Sequence, residues 1–127
     1  MIGEAKGVNT MNKPLSYYEN YRTVKRMRSM RELELEYTDK KNLAQRSALE
    51  KEIAGYSSVM KQIEADISNY VPAGVVGREL NRLTDERIFL ELRCVAGMTI
   101  EGTADAMHVS RDTAYRIRRR LASVSAS

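Results

Sequence analysis

Cysteine, histidine and long apolar runs are scarce in this 127-residue chain. There is one cysteine, Cys94. A single thiol cannot close an intramolecular disulfide, and a cytoplasmic location, in a bacterial host, is the expectation that follows. No apolar run approaches the roughly 20 residues of a membrane span. Met1 to Thr10 lacks the apolar stretch of a signal peptide, so no membrane partner is expected. The sole histidine, His108, has no cysteine or second histidine at ligand spacing, so no metal site is expected there. Nothing resembles a glycine-rich phosphate loop, and one histidine does not complete a convincing Ser-His-Asp order. No catalytic residue and no cofactor are assigned, and the chain is not read as an enzyme. Tryptophan is absent and there are two prolines, Pro14 and Pro72, both at segment borders.

What is present is charge, unevenly distributed. Charged residues make up 30% and hydrophobic ones 43%, an ordinary balance for a globular protein. The length suits one compact domain, or a small domain with a helical extension. Between Ser110 and Arg120 stand five arginines against one acid, Asp112, as much net charge as the whole chain carries, +4. A basic segment of this kind suits a polyanion, and nucleic acid is the usual one. The plainer explanation is a solvated helix end, where arginines favour the macrodipole.

The chain divides at its prolines and glycines. Residues 1–13 read as a flexible leader ending at Pro14. Residues 14–70 read as a helical hairpin. Tyr17, Tyr21, Val24, Met27, Met30, Leu33 and Tyr37 form one apolar stripe, and Thr38 to Asn42 is a polar connection with turn and cap residues. The second stripe, Leu49, Ile53, Tyr56, Met60, Ile63, Ile67 and Tyr70, has the alternating spacing of a coiled-coil seam. Two long helices with a short connection form an antiparallel pair. The seam's length makes Leu49, Ile53, Tyr56, Met60, Ile63 and Ile67 the expected oligomerisation residues, and a homo-oligomer the expected state. Gly55 marks a weak point where the helix could break. Residues 71–74 form a linker, and residues 75–127 a small separate unit. The fold class is all-α.

In that unit a short helix is expected from Val75 to Leu83. Thr84 caps a helix carrying Ile88, Leu92 and Val95, with Gly97 closing it. Cys94 on this helix is a small packing residue. Thr99 caps a helix to about Met107, whose small Thr103 and Ala104 let another helix cross closely. Ser110 caps a third, from Arg111 to about Ala122, with Ala114, Ile117 and Leu121 facing inward. Two short helices joined by a tight turn, the second strongly basic, make a helix-turn-helix. At about 100° per residue, Asp112, Tyr115, Arg116 and Arg119 lie opposite the inward face. Arg111 stands at the helix start, and Arg118 and Arg120 lie further round, toward phosphates.

The stretch Leu83 to Leu90, with Gly97-Met98-Thr99-Ile100, Thr103-Ala104, Val109-Ser110 and Thr113-Ala114-Tyr115-Arg116, resembles region four of bacterial sigma factors. It is also similar to the RinA/ArpU-like late transcription regulators of phages of Gram-positive bacteria, in which a helical N-terminal part precedes a sigma-like helix-turn-helix. The resemblance implies double-stranded DNA as partner and contact with RNA polymerase. It places Ser110, Arg111, Asp112, Tyr115, Arg116 and Arg119 at the DNA-reading positions. At Gly102-Thr103 the sequence departs from the family, which has an acidic residue and a larger aliphatic there. The expected function is sequence-specific transcription regulation by a phage or prophage protein. Two alternatives stay open. One is a small terminase subunit, whose helix-turn-helix usually comes first in the chain. The other is a helical interaction protein that contacts RNA polymerase without reading DNA.

Overall fold

The computed structural model describes residues 12–71 and 84–123, and among these it is all-α, with no strand. The expected short helix from Val75 to Leu83 and most of the expected leader and linker lie outside the described residues. Helix α1 spans Leu15–Glu36 and α2 spans Leu43–Ser68. Pro14 stands at the start of α1 with φ −65°, a value its ring presets and a helix start accepts. At the other end of the hairpin, the Asn42 side chain accepts from the Gln45 N–H at 3.2 Å and so caps α2. Arg46 of α2 donates to the Leu35 and Thr38 carbonyls, at 3.3 and 3.2 Å. The Leu35 carbonyl also accepts from the Thr38 N–H at 3.2 Å, so Arg46 reinforces the turn that closes α1. Helix α2 runs through Gly55 without interruption. The break that Gly55 suggests does not occur, since one glycine costs a helix only about 1 kcal/mol and the packed residues on either side of it outweigh that.

The α1 stripe is buried only over the half of the hairpin near its open end. Leu15, Tyr18, Tyr21 and Val24 of α1 are buried, as are Met60, Ile63 and Ile67 of α2. Beyond Val24 the α1 stripe leaves the interface: Met27, Met30, Leu33 and Tyr37 are exposed. The cause is spacing. From Val24 to Leu33 the residues fall three apart, and nine residues at about 100° each rotate the stripe roughly 180° around the helix. Arg28 and Arg31 take over the contact face. Arg28 donates to Ser57 at 3.2 Å, and Arg31 pairs with Glu52 at 3.1 Å and Glu34 at 2.7 Å.

The seam assigned to oligomerisation is therefore engaged within one chain. Leu49, Met60, Ile63 and Ile67 are buried, and Ile53 and Tyr56 half-buried.

Helix α3, Asp85–Leu90, continues directly as a π-helical segment, Glu91–Val95, in which the Ala96 N–H reaches the Glu91 carbonyl at 2.9 Å. Gly97 ends it at φ +77°, a conformation that glycine adopts without strain. Helices α4, Ile100–Met107, and α5, Arg111–Ala122, follow. Phe89, Leu90, Cys94, Ile100, Ala104, Ala114, Ile117 and Leu121 belong to the same buried cluster as the α1 and α2 residues. The hairpin and the three C-terminal helices thus share one core. Polar ties cross the same junction: the buried Arg87 donates from Nε to the Tyr70 carbonyl at 2.5 Å, and the Asn12 side chain pairs with both backbone groups of Val71.

Candidate nucleic-acid interface

Each helix of the C-terminal part begins on the cap read from the sequence. Thr84 accepts from the Arg87 N–H, Thr99 from Gly102 and Ser110 from Thr113. The turn between α4 and α5 runs from His108 to Ser110. His108 takes the left-handed conformation, φ 60°, ψ 41°. Its N–H donates to the Asp105 carbonyl at 3.1 Å, and the Val109 N–H to the Ala104 carbonyl at 3.0 Å. This bond pair is a Schellman motif, and it carries the usual apolar contact. Val109 packs against the core to which buried Ala104 belongs. Ser110 then starts α5 at once, with its Oγ 3.1 Å from the Thr113 nitrogen.

Helix α5 is pinned from inside by Ala114, Ile117 and Leu121, each no more than 1% exposed. Thr103 and Ala104 of α4 are fully or nearly buried, and the Thr103 hydroxyl donates back to the Thr99 carbonyl at 2.8 Å. No polar group of that close crossing is left over. With three inward positions fixed, the outward ones are fixed too. Ser110, Arg111, Asp112, Tyr115, Arg116, Arg118, Arg119 and Arg120 are all exposed. Tyr115, at 39%, lies with its hydroxyl 3.5 Å from a Glu101 carboxylate oxygen, at the limit of a hydrogen bond.

Arg120 differs from the other arginines. Its Nη2 lies 3.0 Å and its Nε 3.1 Å from Glu86 Oε2 of α3. Glu86 is only 14% exposed. Arg120 thus ties the end of α5 to the start of α3, whereas the sequence reading sent it to a phosphate. Spacing alone did not show this partner, 34 residues away. Among the described residues no group of three or more His, Cys, Asp or Glu is arranged to hold a metal. Cys94 is buried, and burial pushes its thiol up to about 12, so it stays protonated and unreactive at neutral pH. Among the described residues no helix is long and apolar enough to cross a membrane.

No curated protein and no solved structure matches the chain. The family of homeodomain-like domains does match, over residues 78–123. That span takes in α3, the π-helical segment, α4 and α5. The caps, the Schellman turn and the exposed arginine face fall inside it, and the match supports DNA as the partner of this helix-turn-helix.

Proposed function

We propose that the protein is a sequence-specific regulator of transcription, encoded by a phage or prophage, that reads the major groove of double-stranded DNA with α5 in the bacterial cytoplasm. The observation that carries the reading is the outward face of α5. Arg116 and Arg119 project from a helix whose opposite side is locked by Ala114, Ile117 and Leu121. A recognition helix must hold its base-reading side chains in register, and arginine pairs with guanine in bidentate fashion. Arg111 and Arg118 flank that face and suit phosphates. Likeness to the sigma-like phage regulators in the residues around Thr99 and Ser110 supports the finer assignment, including contact with RNA polymerase.

Self-association fits the same reading, since operators usually pair half-sites with protein symmetry. The exposed Met27, Met30, Leu33 and Tyr37 add apolar surface for it to that of the half-buried Ile53 and Tyr56.

The test is binding to upstream regions of the source genome against random duplex. Arg116→Ala or Arg119→Ala should each cost about 1–3 kcal/mol on the cognate site and relax base preference there. Unchanged affinity for both duplexes with an intact fold overturns the reading. Retention of RNA polymerase by such variants would move the helical interaction protein into first place.

A further inference from the structure

Outside α5, the strongest concentration of positive charge lies on α1. Arg22, Lys25 and Arg26 are exposed, and at about 100° per residue they share one arc of roughly 100°. They border two open cavities of about 220 and 260 Å³, which share Arg22 and Arg26 and reach Arg93 on one side and Val95 to Gly97 on the other. Glu19 is the single acid lining either. Arg93 donates from Nη1 to the Met98 carbonyl at 2.8 Å, but its Nε is buried without a partner. A buried donor with no acceptor is unfavourable, so this corner is short of acceptors.

The position of the patch gives it a partner. Arg22 lies over the Gly97 turn between the π-helical end of α3 and α4, the first two of the three helices in the homeodomain-like span: a Cβ on Gly97 would stand 3.2 Å from its Nε. In homeodomain-type docking the loop between helices 1 and 2 lies against the DNA backbone while the third helix enters the groove. The basic arc of α1 therefore stands beside the segment that such docking brings to the phosphates. The hairpin sequence itself falls outside the homeodomain-like match.

We infer that Arg22, Lys25 and Arg26 form a second phosphate-contacting surface, by which the N-terminal hairpin grips the backbone of the duplex that α5 reads. The inference rests on the DNA-binding reading of α5. The surface adds affinity without base preference, because phosphates carry no direct sequence information.

The experiment measures duplex affinity across a salt series, using the full chain. Each lost phosphate contact lowers the slope of log K against log salt by about 0.9. Arg22→Gln/Lys25→Gln/Arg26→Gln should flatten the slope by about 2 to 3, equally on cognate and random duplex. Glutamine keeps helix propensity. If removing Arg22 from Gly97 disturbs the fold, Lys25→Gln/Arg26→Gln should still flatten the slope by between about 1 and 2. Lys40→Gln/Lys41→Gln, at the tip of the hairpin, should leave it unchanged. A slope unaltered by the patch variants, in a protein whose cognate binding still depends on Arg116, overturns this inference and leaves the α5 reading standing. A wild-type chain that binds no duplex removes both. Inorganic phosphate, titrated at constant ionic strength, separates the sources. Saturable binding abolished by Arg22→Gln, with the DNA slope unchanged, would make the patch a pocket for a small anion and overturn the proposal.

Discussion

His108 holds the angle between α4 and α5 at a conformational cost. Its φ of 60° is in the left-handed region, which an L residue occupies at roughly 1–2 kcal/mol. Glycine is free of that penalty but loses more backbone entropy on folding. Balancing the two, His108→Gly should stabilise the protein by about 0.5–1 kcal/mol, read as a higher denaturant midpoint, with DNA affinity unaltered. A lower midpoint would show that the imidazole contributes something the turn needs. The sequence showed His108 in a turn but not in this conformation, because the usual signal is a glycine, as at Gly97. Arg118 and Arg120 are the second test at this scale. They look alike in the sequence, two residues apart in one basic run. Arg118→Ala should leave stability near wild type and reduce the salt slope by about 0.9. Arg120→Ala strips Glu86 of its partner and should destabilise by about 0.5–1 kcal/mol, the upper part of the range for exposed pairs because Glu86 is largely shielded. Equal effects of the two on stability would mean that the Arg120–Glu86 pair is not maintained in solution.

At the scale of the element, α5 was legible and the far half of α1 was not, and the difference is periodicity. Ala114, Ile117 and Leu121 recur at three and four residues, so their mean spacing matches the helix and they stay on one side. Val24, Met27, Met30 and Leu33 recur at three, and the stripe winds off the contact face. Arg28 and Arg31 meet α2 there instead, through bonds to Ser57 and Glu52, and nothing in a list of apolar residues would point to them. The π-helical segment after α3 had no sequence signal. Leu33 and Ile63 make the consequence measurable, since each belongs to a stripe that reads as a packing face. Leu33, 54% exposed, should tolerate Leu33→Glu within about 0.5 kcal/mol, and any oligomer should weaken in sedimentation. Ile63, 1% exposed, should lose about 2–5 kcal/mol on Ile63→Ala. A large loss of stability in monomeric Leu33→Glu would put that residue in the core.

At the scale of the whole molecule, the junction between hairpin and helix-turn-helix is where pH should act. Tyr18 and Cys94 lie in the common core, and burial pushes both groups up to about 12. Tyr21 is also pushed up to about 12, by burial and then by the hydrogen bond its hydroxyl donates to Glu64 at 2.5 Å. Tyr17 is raised too, by burial and by its bond to Asp66. In the unfolded chain a thiol loses its proton near 8.5 and a phenol near 10. Between those values and about 12 the folded state holds protons that the unfolded state has released. Stability therefore falls as pH rises through that window, and the contribution is fully present below it. Because both halves draw on one core, the helical signal and cognate DNA binding should be lost together, in a single transition whose midpoint is flat from about pH 7 to 8 and drops above about 9. Tyr21→Phe keeps the ring and removes the titrating hydroxyl, so it should shallow the alkaline fall while costing some stability at neutral pH, where Glu64 loses its donor. Midpoints that are identical at pH 7 and pH 11 would mean that these hydroxyls and the thiol are open to water, and that the hairpin is not seated on the DNA-binding helices.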